Sequence, residues 1–253
     1  MPIFRINDQL HYFAHVPKCG GSAVETYLTR RFGPLGFNEP VRHLMPERQL
    51  WNLSASQHIP VAALDRLIPP DWFASSFAVV RHPLRRLISA FFYTRDVFNT
   101  VPLGTSFDSW LQTAVTWIDT EPYRRAAHVL PQTALVPDGA RIFRLEDGLE
   151  PVVPYLDGLA GSSAGPRTIP TQNVGKWRAE ESPPQVTART LELIARVYAA
   201  DFARFGYVLP ETAADAEALT DLPNLAATGA PPAPKRRTVL QRVQRSLMRR
   251  AGM

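Results

Sequence analysis

Cysteine is nearly absent: among 253 residues only Cys19 is found. A lone cysteine excludes an intrachain disulfide framework and a thiolate zinc cluster, and it fits a reducing compartment. Lysine is almost as scarce, confined to Lys18, Lys176 and Lys235 against a heavy use of arginine. No stretch of 18 apolar residues occurs, so nothing reads as a membrane-spanning helix. The opening MPIFRINDQLHYFAHVPK has no apolar core of signal-peptide length, because Asp8 and His11 interrupt it. These absences lead to the expectation of a soluble, cytoplasmic, bacterial-type protein.

What is present is enough for a core. Hydrophobic residues make up 45 % and charged residues 20 %, which suits one folded domain with additions and argues against general disorder. The formal net charge of +5 is concentrated at one end. Residues 235–253 hold seven Lys/Arg and no acid, leaving 21 basic and 23 acidic residues before them. The body is therefore about neutral, and no nucleic-acid partner is expected from it.

Along the chain, Tyr12-Phe13-Ala14-His15-Val16 reads as a buried strand ending at Pro17. A glycine loop follows, then Ser22 as N-cap with Glu25 as its capping-box partner, opening a helix. A second unit of this type runs from Phe77-Ala78-Val79-Val80 through Arg81-His82-Pro83 into a helix from Leu84 to Tyr93. A third strand spans Ala140 to Arg144, and helical patterns occur around Ala62–Ile68 and Phe107–Ala114. Alternation of this kind predicts an α/β protein with a mainly parallel sheet covered on both faces. Gly158 to Gly165 reads as a small-residue loop, and Gln185 to Phe205 as one long helix stopped by Gly206. Residues 210–234 read as an Ala/Pro-rich flexible linker, and 235–253 as a basic amphipathic helix or tail.

Two segments carry chemistry. In Pro17-Lys18-Cys19-Gly20-Gly21-Ser22 the glycines allow close backbone approach at a helix N-terminus, Lys18 brings a point charge and Ser22 a hydroxyl. That suits a phosphate cradle, although an ordinary strand-to-helix turn fits the same residues. It is not a Walker A loop, since the lysine precedes the glycines. Arg81, at the end of the next strand, is placed for a bidentate phosphate contact, with Ser89 about two helical turns on. A solvated basic face of Arg81, Arg85 and Arg86 is the competing reading. Two cradles on successive strand ends point to a nucleotide phosphorylated at both ends.

HVPKCGGSAVETYL resembles the 5′-phosphosulfate loop of sulfotransferases that use 3′-phosphoadenosine 5′-phosphosulfate (PAPS), and FAVVRHPLRRLISAF resembles their 3′-phosphate motif. The resemblance is to the carbohydrate branch that includes the heparan sulfate 2-O and chondroitin enzymes. It extends to HVLPQTALV, ARIFRLEDGLEPVV and VYAADFARFGY, and so covers about residues 10 to 208. It implies a P-loop-like three-layer α/β/α fold, with residues 1–209 as the sulfotransferase domain. It further implies a PAPS co-substrate, in-line transfer without a metal, and adenosine 3′,5′-bisphosphate as product. Position by position, it assigns Pro17, Lys18, Cys19, Gly20, Gly21, Ser22 and Ala23 to the 5′-phosphosulfate, and Arg81 and Ser89 to the 3′-phosphate. Lys176, in Asn173-Val174-Gly175-Lys176-Trp177, is similar to a basic residue of a late closing loop.

The acceptor hydroxyl needs a base, and His58 resembles the catalytic histidine of the 2-O branch, lying between the two motifs. His43 and a carboxylate stay open as alternatives, and His15 reads as a buried strand residue. Cys19 reads as a small packing residue, and Glu146 as a structural carboxylate. The acceptor is expected to be a carbohydrate or glycolipid. The tail is open to three readings: a solvated helix, a partner-docking element, or a peripheral contact with the inner membrane face. Two other functions compete: a nucleotide kinase of similar architecture, and a noncatalytic nucleotide-binding or interaction protein.

Overall fold

Asn7 and Asp8 both take positive φ (49° and 65°), the pair of left-handed residues that makes the tightest hairpin turn. They join β1 (Ile3–Ile6) to β2 (Gln9–Ala14) in a computed structural model that describes residues 2–39, 42, 45–123, 126–170 and 184–221. β2 then pairs in parallel with β3 (Phe73–Val80), and β3 in parallel with β4 (Arg141–Arg144), giving the order β1-β2-β3-β4. The continuous apolar runs Tyr12–Ala14 and Phe77–Val80 are buried, as central parallel strands require. The hairpin strand β1 is an addition to the sheet that the sequence pattern did not announce.

The helices among the described residues are α1 (Gly21–Phe32), α2 (Val61–Leu67), α3 (Pro83–Asp96), α4 (Phe107–Thr120), α5 (Val152–Ala160), α6 (Ala188–Val197), α7 (Ala199–Phe205) and α8 (Ala213–Asp221). None is long and apolar enough to cross a membrane. Their ends follow local chemistry: Pro83 opens α3, the Ser106 hydroxyl accepts the Ser109 N–H at α4, and Gly206 (φ 64°) stops α7. The result is the expected mixed α/β architecture of the P-loop-like α/β/α class.

Three local expectations change. Gln185–Phe205 is not one helix: Tyr198 breaks it, fully buried, with its hydroxyl donating to the Val129 carbonyl at 2.6 Å. Gly158 lies inside α5, so the small-residue loop starts only at Gly161. Within the stretch read as linker, α8 forms because Thr212 and Asp215 cap each other reciprocally, and Ala216 is buried. Residues 222–234 and the basic tail lie outside the described residues.

The break at Tyr198 brings α7 onto the segment before β4. Asp201, fully buried, accepts the N–H groups of Gln132 (2.8 Å) and Thr133 (2.9 Å). Arg86, equally buried, donates to the carbonyls of His128 (3.1 Å) and Leu130 from α3. Residues 128–133 are thus held from both sides. Asp201→Asn leaves one of the two N–H groups facing an amide donor, so stability should fall by about 1–3 kcal/mol. For a domain of this size that is a drop in Tm on the order of 2–10 °C, read by thermal unfolding; an unchanged Tm would mean that the carboxylate is dispensable.

Candidate active site

Because β2 and β3 are parallel neighbours, their carboxyl ends open on one edge of the sheet. The loop after β2 turns sharply through two left-handed residues, Lys18 (φ 67°) and Gly20 (φ 80°), before α1 begins. A side chain at Gly20 would meet Leu145 Cδ1 at 3.1 Å, and one at Gly21 would sit 2.0 Å from the His15 ring. Both glycines are therefore demanded by close approach, and Gly20 by its φ as well. In the first turn of α1 the N–H groups of Ala23 and Val24 both turn to the Gly20 carbonyl, which leaves those of Gly21 and Ser22 without an intrahelical acceptor.

The capping box expected of Ser22 and Glu25 is not formed. Gly20 is the N-cap residue and makes no side-chain cap, Ser22 lies one residue inside the helix, and Glu25 turns instead to His15. The helix start is thus held by the strand it follows, and the Ser22 hydroxyl is not committed to a cap.

Lys18 and Arg81 meet across the two strand ends. Arg81 Nη1 donates to the Lys18 carbonyl at 3.2 Å, and the Lys18 ammonium lies 3.6 Å from the centre of the Tyr93 ring on α3. Burial, and then the nearby Arg81 charge, depress the Lys18 pKa to about 7. Arg81, Arg85 and Arg86 are all buried (3, 4 and 0 % exposed), so the reading as a solvated basic face is excluded. Ser89 is also buried, about 9 Å along α3 from its start.

Two side chains fix the backbone that aims Arg81. Gln132 accepts the Arg81 N–H at 2.9 Å and donates to the Arg81 carbonyl at 2.8 Å. Glu146 accepts the next N–H, that of His82, at 2.9 Å and the Tyr207 hydroxyl at 2.9 Å. Glu146 is the structural carboxylate expected of it. Gln132 was not anticipated: nothing in an isolated glutamine between two apolar segments signals a buried clamp.

A histidine cluster borders the loop. His58 Nδ1 lies 3.1 Å from the His15 carbonyl oxygen. A carbonyl only accepts, so Nδ1 carries the hydrogen and Nε2 presents a bare lone pair. Burial, then neighbouring His15 and His128, hold the His58 pKa well below the ordinary histidine range. The rings of His15 and His58 meet edge to face at 4.5 Å, and His128 stands 5.9 Å beyond His58. His128 is flanked by Tyr93 (5.3 Å) and stacked on Phe98 (5.6 Å), and burial pushes its pKa down to about 3. His128 was visible in the sequence only as part of HVLPQTALV. His15, just past β2, is buried but is more than a strand residue, since it holds Glu25.

His43, Lys176 and Trp177 lie outside the described residues. Cys19 is buried, its sulfur 3.5 Å from Gln132 Oε1, and burial raises the thiol pKa to about 12. It is a packing residue, not a nucleophile. Alkylation by iodoacetamide should proceed only on unfolding; rapid labelling of the native protein, followed by mass spectrometry, would contradict this.

The comparisons with known proteins agree with this geometry. The family model described as the sulfotransferase family matches residues 3–145, more than half of the chain, from β1 through both strand-end loops to the end of β4. No curated protein and no solved structure matches significantly. With the cradle loop, Arg81 and the histidine cluster all inside the matched span, the chain belongs to the sulfotransferase family.

Proposed function

We propose that this family member is a PAPS-dependent O-sulfotransferase, acting on a hydroxyl of a carbohydrate or glycolipid. The observation that carries the reading is the contact between Arg81 and the Lys18 carbonyl, which puts two cations side by side at the carboxyl edge of the sheet. Their mutual repulsion is relieved by a polyanion, and a nucleotide bearing both a 5′-phosphosulfate and a 3′-phosphate supplies one.

In this reading Lys18, Gly20, Gly21, Ser22 and Ala23, with Pro17 and Cys19 shaping the turn, hold the 5′-phosphosulfate. Arg81, Ser89 and Lys176 hold the 3′-phosphate. PAPS supplies an activated sulfuryl group. His58 Nε2 takes the acceptor proton, for which its tautomer is already set. The acceptor oxygen bonds to sulfur as the bond from sulfur to the bridging oxygen breaks, and the Lys18 ammonium and loop N–H groups stabilise the charge left on the phosphate. No step calls on a metal. Phe98, 45 % exposed and stacked on His128, offers a flat apolar face for the C–H side of a sugar ring, which supports the acceptor class. The free cysteine fits a cytoplasmic setting.

Calorimetry with PAPS, with ATP as control, tests the donor. Tight binding should appear for PAPS alone and be lost in Lys18→Ala and Arg81→Ala; no binding by folded protein would overturn the reading. Transfer should persist in a chelator, whereas a kinase would need magnesium. His58→Ala should retain donor affinity and lose about 10²–10⁴ in kcat; full activity would move the base elsewhere and leave the noncatalytic reading to be judged by wild-type turnover.

The pH profile follows from the two shifts. Lys18 acts when protonated, so kcat/KM should fall as pH rises through about 7, its value without donor. His58 acts when neutral, and its depressed pKa keeps it so; no acid limb should appear near the ordinary histidine value. Lys18→Arg, which cannot lose its charge in this range, should abolish the alkaline limb, and a limb unchanged in that variant would assign it to another group.

A further inference from the structure

Glu25 is the residue that the sequence pattern commits to a helix cap and that the structure uses otherwise. Its Oε1 lies 2.5 Å from His15 Nδ1, with the two side chains 13 % and 7 % exposed. A carboxylate accepts, so His15 Nδ1 carries a hydrogen, and the ring is pinned between Glu25 and the Gly21 backbone. The same His15 meets His58 twice: its ring lies edge to face at 4.5 Å, and its carbonyl takes the His58 Nδ1–H at 3.1 Å. A base that gains a proton here gains a positive charge among groups that oppose it. For His58 these are His15, just past β2, and His128, from the segment before β4; the cradle's Lys18 in turn opposes a charge on His128. Among the described residues Glu25 is the carboxylate in hydrogen-bonded contact with this cluster.

We propose that Glu25 and His15 are positioning residues of the acid–base apparatus: the Glu25 carboxylate locks His15, and through it holds His58 in register and offsets the charge that His58 acquires. The inference rests on the sulfuryl-transfer reading. In that step the acceptor O–H bond breaks and a His58 Nε2–H bond forms. The oxygen's electron pair bonds to sulfur, and the pair of the broken sulfur–oxygen bond leaves on the phosphate. His58 later returns the proton to solvent. The negative charge of Glu25 favours the protonated His58 and so makes it a stronger base than its burial alone would allow.

The test compares wild type with Glu25→Gln, which keeps the shape and a hydrogen-bond acceptor, and Glu25→Asp, which keeps the charge. Three quantities are read: adenosine 3′,5′-bisphosphate affinity, sulfuryl transfer from PAPS to water, and the NMR pH titration of the His58 ring in the bisphosphate-bound protein. Glu25→Gln should transfer about tenfold more slowly or worse and titrate His58 at least about half a pH unit lower, with affinity kept within about twofold. Glu25→Asp should recover both readouts. Equal rates and equal midpoints in wild type and Glu25→Gln would overturn the proposal. So would equal losses in both variants accompanied by loss of affinity, which is how a mere strut between β2 and α1 would behave. A wild type that transfers nothing, with the His58 midpoint still lower in Glu25→Gln, would uphold the coupling and sink only the sulfuryl-transfer reading. Should Glu25→Gln fail to fold, Glu25→Ala, which also removes the charge, carries the same comparison against Glu25→Asp with the same outcomes.

Discussion

The approach of Arg81 to the Lys18 carbonyl is the constraint around which the rest of the molecule is arranged. Two cations at one sheet edge repel each other, and burial denies them water; both effects show in the lowered Lys18 pKa. Neighbouring side chains hold that arrangement in place. Gln132 and Glu146 do so by taking the consecutive N–H groups of Arg81 and His82, which fixes where the strand ends. Gln132 is in turn fixed by Asp201, and the segment around it by Arg86 and Tyr198. The polar network therefore runs from α7 to the cradle without a break, and Arg81, Arg86, Gln132, Tyr198 and Asp201 are buried where an orphaned partner would be expensive.

The electrostatics divide into two zones. On one side, Lys18 and Arg81 form a positive edge suited to phosphates and sulfate. On the other, burial and neighbouring groups hold His58 and His128 in the neutral form. Tyr93 lies between the zones, one face toward the Lys18 ammonium and its ring edge to face with His128. In the proposed reaction this separation lets donor binding and proton transfer proceed at the same pH.

Much of this was legible because the signals are local. Continuous apolar runs announced β2 and β3, the short segment Ala140–Arg144 announced β4, and the glycines after β2 announced a loop that the structure shows as a tight turn demanded by His15 and Leu145. What escaped had long-range causes. Ser22 and Glu25 satisfy a capping-box spacing, but His15, ten residues before Glu25 and across the turn, competes for the carboxylate and wins. The long helix at 185–205 breaks because Tyr198 and Asp201 bond to residues about 70 positions earlier, which no helical periodicity encodes. Gln132 has no pattern at all. The exception is α8, where the Thr212 and Asp215 cap is local in sequence yet lies in a stretch whose Ala/Pro-rich composition reads as linker.

The proposed role of Lys18 and Arg81, joint binding of a bisphosphate-like anion, has a direct thermodynamic signature. With a pKa of about 7, Lys18 is largely neutral at pH 8, and an anion bound against it must draw a proton from solution. Calorimetric binding of adenosine 3′,5′-bisphosphate in buffers of different ionisation enthalpy measures that proton. The account predicts uptake approaching about one proton per nucleotide at pH 8, and none in Lys18→Arg. Binding without proton uptake in the wild type, or uptake that persists unchanged in Lys18→Arg, would contradict it.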